Sequence, residues 1–261
     1  MKFGVFVTQI GPAANRETIT TVARQAEELG YDAINVTDHL IFPTQIRSPY
    51  PYTPERRFLA PTDAPYMESL TLLSFLAACT ERIRLATSVL VLPQRHPVEV
   101  ARMFACIDVL SGGRVTVGIG SGWLAEEFAL LGVPFERRGY RTNEYIQLLK
   151  VLWTEDDPRF QGEFYSIAEA RFAPKPVQKP HPPIWIGGHS RMALERAGRF
   201  ADGWLAVDVG DQPLGTVVEQ FKMVQRYARE HGRDPNAITA NILAGAFFNP
   251  DDGVKAALER M

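Results

Sequence analysis

The sequence predicts an α/β fold, a single-domain (β/α)8 TIM barrel, on three observations. Short β-branched runs alternate with longer amphipathic segments along the whole chain, eight times over. Several of those short runs are almost wholly apolar, as parallel strands covered on both faces must be. The length, 261 residues, matches the roughly 250 of one such barrel. Alternation sustained this long favours a closed barrel over an open doubly wound sheet. No linker or low-complexity stretch divides the chain, so residues 1–261 read as one domain.

Each element follows from its local pattern. Lys2–Val7 reads as the first strand. Ile19, Val22, Ala23, Ala26 and Leu29 share one helical face, and Gly30 supplies a left-handed stop. Ala33–Val36 is the second strand. A long loop, Ile41–Pro65, follows it, rich in prolines and aromatics; a connection of that length is functional or disordered, and here it lies on the catalytic face. Leu70, Leu73 and Leu76 mark the second helix and Ile83–Val91 the third strand. The third helix opens on Pro97, acceptable in a first turn, and repeats apolar residues at Ala101, Phe104, Ile107 and Val109–Leu110. Val115–Ile119 is the fourth strand, and Ile146, Leu149 and Leu152 belong to the next helix. Thr154–Pro183 reads as a small insertion near strand 5, with a hairpin around Gln161–Gly162 and the fifth strand at Arg171–Ala173. Ile184–Ile186, Trp204–Val207 and Ile238–Ala244 complete the count. Helices lie at Arg191–Phe200 and along Val217, Phe221, Val224 and Tyr227–Ala228. The final helix, Asp251–Met261, is short and reads as truncated.

Composition narrows the function. A formal net charge of −2 lacks the basic excess of a nucleic-acid binder. No apolar run approaches the ~18 residues that span a membrane, and the N-terminus begins as a strand, not a signal peptide. The expected location is therefore the cytoplasm. Cys79 and Cys106 sit in apolar helical patterns and read as small buried hydrophobes in a reducing compartment.

In a barrel enzyme, polar residues that follow strand ends carry the chemistry. Asp38 and His39 follow the second strand, placing an imidazole at the mouth, where its near-neutral titration suits proton work; the alternative is a hydrogen-bonded cap of the strand end. Arg95 and His96, just ahead of the third helix, read as solvated, the alternative being that they meet an anion. Gly118-Ile119-Gly120-Ser121-Gly122-Trp123 follows the fourth strand. It is not the dinucleotide fingerprint, but alternating glycines strip one face of side chains and leave room for a flat ring. Gly187-Gly188-His189-Ser190 leads into a helix, so backbone amides can meet a phosphate there; the other reading is a tight turn with Ser190 as N-cap. Barrel phosphate sites more often follow strands seven and eight, so either the strand count or this site is displaced. Glu126 and Glu127 read as carboxylates that stabilise a helix start, not as a catalytic pair. No metal-ligand cluster and no nucleophile elbow is present.

Taken in order and spacing, these stretches resemble the bacterial luciferase-like superfamily, in its branch of deazaflavin (coenzyme F420) dependent oxidoreductases. The resemblance rests on Ala33–His39, Leu85–Leu90, Leu110-Ser111-Gly112-Gly113-Arg114-Val115 running on to Gly122-Trp123, Pro134–Gly139, Pro183–Gly188 and Ala201-Asp202-Gly203-Trp204. It implies a barrel, a homodimer with contacts through the second and third helices, and a cofactor ring in the barrel mouth. It further implies a non-prolyl cis peptide between Ser88 and Val89, behind the ring. Asp38 and His39 would meet the ring, with Asp38 orienting the imidazole. Gly120, Ser121 and Gly122 would line the ribityl-phosphate side, Gly187, Gly188, His189 and Ser190 would hold the phosphate, and Ser88, Val89 and Trp123 would also bind the cofactor. Sugar-phosphate dehydrogenases of that branch carry an acidic residue where this chain has Trp123, so an apolar or aromatic substrate is expected instead.

The leading expectation is hydride transfer between F420 and a small organic substrate. One alternative is an FMN-dependent monooxygenase of the two-component type, served with FMNH2 by a separate reductase. Another is a non-catalytic flavin- or deazaflavin-binding protein.

Overall fold

A computed structural model describes residues 2–53, 55–58, 60–207 and 214–243. Its framework is a curled, parallel sheet with helices on its outer face. β1 (Gly4–Phe6) pairs with β2 (Ala33–Val36), Gly4 opposite Ala33, and β2 pairs with β3 (Arg84–Thr87), Val36 opposite Thr87. β3 continues as β4 (Leu90–Val91), and both pair with β5 (Val115–Gly120). β8 (Ile184–Gly187), β9 (Gly203–Val207) and β10 (Thr239–Leu243) complete the order β1-β2-β3-β5-β8-β9-β10. Among the described residues β1 and β10 are the outer strands, with no pairing between them. The helices are α1 (Arg16–Glu28), α2 (Ser69–Cys79), α3 (Pro97–Leu110), α4 (Ala125–Leu130), α5 (Arg138–Thr154), α6 (Arg191–Phe200) and α7 (Leu214–Glu230). None of them is long and apolar enough to cross a membrane.

The strand expected at Arg171–Ala173 does not exist. β5 pairs directly with β8, Val117 opposite Ile184, and the segment between them never enters the sheet. The physical reason is local: prolines follow at 174 and 176, and a proline cannot donate to a ladder. Phe172 is nonetheless buried, beneath the Arg102 guanidinium at 4.7 Å, which explains why the triplet mimics a strand in an apolar pattern. The small hairpin is present, as β6 (Phe160–Gln161) antiparallel to β7 (Ser166–Ile167). Glu144 of α5 holds its turn by accepting from the amides of Glu163 (2.8 Å), Phe164 (2.9 Å) and Tyr165 (2.7 Å). The expected final helix, and Ala244 of the expected last strand, lie outside the described residues.

The third strand is broken where the resemblance implies: the Ser88–Val89 peptide is cis, between β3 and β4. Next to the break β3 and β5 approach so closely that Gly118 has no room for a Cβ, which would collide with the Thr87 carbonyl. The Thr87 hydroxyl locks the approach by donating to the Gly118 carbonyl at 2.7 Å.

The amino-terminal rim is closed by Arg114, in the turn between α3 and β5. Its guanidinium donates to the carbonyls of Ser111 (2.7 Å), Ala77 (3.0 Å), Thr80 (2.9 Å) and Ile83 (2.9 Å) and to the Thr80 hydroxyl (2.9 Å). It thereby satisfies the last carbonyls of α2, which have no partner inside the helix. Leaving such a buried carbonyl unpaired costs about 1–3 kcal/mol.

Candidate functional site

All strands of the main sheet are parallel, so the segments that follow β2, β4, β5 and β8 emerge on one rim. The carboxyl-terminal rim therefore gathers Asp38, His39, Gln94, Gly120–Trp123 and Gly187–Ser190.

Asp38 is buried and fully engaged. It accepts from the Ser69 hydroxyl (2.7 Å), the Val91 amide (2.9 Å) and the Arg95 guanidinium (2.6 Å). Arg95 also pairs with Glu68 at 2.9 Å, and only 12% of its side chain is exposed. The expectation of a solvated Arg95 is thus overturned: two carboxylates draw it inward. Burial alone would lower its pKa, but Asp38 and Glu68 more than offset that and raise it. His96 remains at the surface, its Nε2 3.3 Å from the Tyr165 hydroxyl.

His39 has a different partner from the one expected. Asp38 bonds to Ser69, Val91 and Arg95 and not to the ring, whose Nδ1 lies 3.0 Å from Oε2 of Glu127, in the first turn of α4. Glu127 is therefore more than a helix-start charge. Its other oxygen accepts from the amides of Leu40 (2.7 Å) and Ile41 (3.3 Å), and its side chain is 1% exposed. Burial alone would raise its pKa, but the bond to His39 and the Leu40 amide outweigh this and hold it below the ordinary carboxylate range. The adjacent Glu126 accepts from the amides of Arg47 (2.8 Å) and Ser48 (3.0 Å) and from the Ser48 hydroxyl (2.6 Å).

Those bonds fix the start of the long loop, whose described residues fold aromatic side chains over His39. Phe42 is centred 4.6 Å from the imidazole, Phe58 5.7 Å, Tyr66 6.0 Å and Trp123 6.2 Å. Tyr50 stacks edge-on against Trp123 at 4.9 Å. Burial pushes the phenol of Tyr52 up to about 12 and that of Tyr66 up as well, so both stay neutral. Together these rings form an aromatic cover over the His39 imidazole, whose side chain is 12% exposed.

The glycine turns frame Val89. A Cβ at Gly120 would stand 2.5 Å from one Val89 methyl, and one at Gly187 would stand 2.8 Å from the other. At Gly122 (φ +81°) a Cβ would meet Phe128 and Val91 at 2.7 Å. These glycines make room for protein side chains rather than for open space, which corrects the simplest version of the flat-ring argument. Ser88 donates to the Asn35 side chain at 2.8 Å. At the β8 turn, Gly188 takes φ +117° and its carbonyl accepts from the Trp204 indole at 3.0 Å. Ser190 caps α6 by accepting from the Ala193 amide at 3.2 Å. Both ring nitrogens of His189 are occupied: Nε2 accepts from the Val207 amide (3.0 Å), and Nδ1 lies 2.7 Å from the side-chain Oε1 of Gln220. Its imidazole is a clip between β9 and α7, so the backbone amides of this turn and the Ser190 hydroxyl hydrogen remain to meet an anion.

A cofactor ring needs polar partners, and the rim has them. Among the described residues the buried side-chain atoms without a hydrogen-bond partner are the Gln94 amide nitrogen and oxygen, Arg95 Nε and Ser121 Oγ. All follow the ends of β4 and β5. Buried polar atoms are seldom left unpaired, so this cluster fits a bound heterocycle that donates and accepts. Gln94 has no signal in the sequence beyond its position after a strand end, and Arg95 and Glu127 read there as a solvated cation and a helix-start carboxylate.

The whole chain, residues 1–261, matches the family model described as luciferase-like monooxygenase. The chain belongs to that family. An uncharacterized protein of Mycobacterium tuberculosis is 37% identical over 209 residues, 79% of this chain and 71% of its own length. An F420-dependent glucose-6-phosphate dehydrogenase of Amycolatopsis mediterranei is 32% identical over 201 residues, 76% of this chain and 54% of its own. An FMNH(2)-dependent dimethylsulfone monooxygenase of Pseudomonas putida is 39% identical over 138 residues, 52% of this chain and 38% of its own. In solved structures, the monooxygenase RslO1 from Streptomyces bottropensis superposes with a TM-score of 0.76 at 24% identity, over 100% of this chain and 77% of its own. At that identity the likeness shows the fold alone. The luciferase-like family thus contains both F420- and FMN-dependent relatives of this chain.

Proposed function

We propose that this family member is an oxidoreductase that moves a hydride between coenzyme F420 and a small apolar or aromatic substrate. The observation that carries the reading is a protonatable imidazole, His39, enclosed by Phe42, Phe58, Tyr66 and Trp123 on the rim that also holds the unpaired Gln94 and Ser121 groups. Gln94 and Ser121 would bind the cofactor's polar edge. The backbone amides at the start of α6 would take its anionic tail. The bound cofactor supplies the hydride acceptor or donor. His39 would accept the proton that leaves a substrate hydroxyl as the hydride departs, or return it in the reverse direction. The aromatic cover would keep water from that exchange and select substrates without a charged group. Trp123, in place of a carboxylate, supports this choice of substrate over a sugar phosphate.

A second reading, an FMNH2-dependent monooxygenase fed by a separate reductase, is favoured by the 39% identity to the dimethylsulfone enzyme. Titrating the protein with F420 and with FMN separates the two. Binding of F420 and not FMN supports the first; tight FMN binding without F420 binding reverses the order. His39→Ala should lower turnover by about 10²–10⁴-fold with cofactor affinity nearly intact, and unchanged turnover removes His39 from the mechanism. A homodimer is part of the proposal: α3 leaves Met103, Val109 and Leu110 exposed, and sedimentation would read the assembly.

A further inference from the structure

We propose that Glu127 is a positioning residue that fixes which nitrogen of His39 handles the proton, and that the same carboxylate ties this choice to the aromatic lid. The inference rests on the role given to His39 above, but its test does not use activity.

The argument is one of donors and acceptors. Glu127 is buried and held below the usual carboxylate range, so it is ionised and can only accept. The ring nitrogen facing it at 3.0 Å, Nδ1, must therefore carry the hydrogen. In the neutral ring that leaves the lone pair on Nε2, which has no hydrogen-bond partner among the described residues. Nε2 is then the atom that takes or returns a proton.

The other charged and titratable groups near the ring do not compete. Asp38 is turned away and saturated by Ser69, Val91 and Arg95. Tyr66 is neutral, and its hydroxyl lies 2.6 Å from that of Thr37. The Gln94 amide stands near the Glu127 carboxylate without a hydrogen bond of good geometry to it. Glu127 alone sets the ring.

The coupling to the lid comes from the second carboxylate oxygen. It accepts the Leu40 and Ile41 amides, while Glu126 accepts those of Arg47 and Ser48. Two adjacent side chains of α4 thus fasten both ends of the segment that carries Phe42 over the imidazole.

Glu127→Gln gives a specific test. The glutamine has one acceptor, which the two backbone amides retain, so its NH2 faces Nδ1. Nδ1 must then accept, and the ring hydrogen moves to Nε2. Nitrogen-15 NMR of histidine-labelled protein at a pH where His39 is neutral distinguishes the two tautomers, with His39→Gln to assign the signal. The expected result is hydrogen on Nδ1 in the native protein, on Nε2 in Glu127→Gln, and still on Nδ1 in Glu126→Gln. Hydrogen on Nε2 in the native protein overturns the proposal without any variant, and so does a Glu127→Gln ring that keeps the native tautomer. Should the tautomer swap while His39→Ala leaves turnover intact, the positioning stands and the catalytic role of His39 falls.

Discussion

Asp38→Asn tests whether this carboxylate acts in chemistry or in architecture. Three donors converge on it: the Ser69 hydroxyl, the Val91 amide and Arg95. Asparagine keeps one acceptor oxygen and turns an NH2 group toward a donor, so at least one of those bonds becomes a repulsion. It also removes a buried counter-charge from Arg95. Breaking such a buried pair from one side costs about 3–5 kcal/mol. Arg95 keeps Glu68 at 2.9 Å, and Glu68 is 31% exposed, so the loss belongs at the lower end, about 3 kcal/mol. For a chain of this size each 1 kcal/mol moves Tm by roughly 2–4 °C, so the melting temperature should fall by about 6–12 °C. Thermal and urea unfolding of the apo-protein measure this directly. A variant of native stability that has lost turnover would refute the structural reading and return Asp38 to the reaction itself.

Three further outcomes follow from other parts of the molecule. Gly118→Ala forces β3 and β5 apart, because the new Cβ collides with the Thr87 backbone carbonyl; a loss of stability of about 1–3 kcal/mol or more should appear in urea unfolding. The carboxyls of Glu68 and Glu127 are both held below their ordinary value of 4.5: burial would raise each, but the Thr71 and Leu70 amides in one case and His39 in the other outweigh it. A group depressed in the folded state stabilises above its unfolded pKa and stops doing so as pH falls through the folded value. Unfolding free energy should therefore drop as pH falls below about 4.5, and Glu127→Gln should make that drop shallower. Gln94→Leu removes a buried amide without partners, so the apo-protein should hold its stability or gain about 1 kcal/mol, while affinity for the cofactor falls. A Gln94→Leu protein that binds cofactor as tightly as the native one would exclude Gln94 from the site.

Much of the framework was legible because parallel strands and amphipathic helices write their burial into local periodicity. The pattern of Ile19, Ala23 and Ala26, and that of Val115 to Ile119, need no tertiary information. The failures have a common cause. Arg171–Ala173 looked like a strand because Phe172 is buried, and burial by a loop leaves the same local trace as burial by a sheet. Arg95 reads as solvated because an isolated arginine ordinarily is; its partners, Asp38 and Glu68, lie far off in sequence and arrive only through the fold. Glu127 reads as a helix-dipole charge because the sequence does not reveal that α4 begins beside the imidazole that follows β2.

The motifs that carry the family resemblance divide between two rims, and the division has a functional consequence. Arg114 closes the amino-terminal rim by collecting carbonyls from the end of α2 and the segment that leads from it into β3. Asp202 works on that rim too, accepting the Ile184 amide at 2.8 Å at the start of β8. Neither faces the mouth. On the carboxyl-terminal rim, Asp38 and the His189 ring are consumed by hydrogen bonds within the protein, whereas Nε2 of His39, the Gln94 amide and the Ser121 hydroxyl have none among the described residues. A residue that belongs to a motif is therefore not thereby a residue of the reaction. A side chain whose donors and acceptors are already paired can only shape the site, and one held in place with a polar atom left over can act on a ligand. By that criterion the proposed chemistry centres on His39, with Glu127 behind it, and the proposed recognition on the unpaired atoms of Gln94, Arg95 and Ser121.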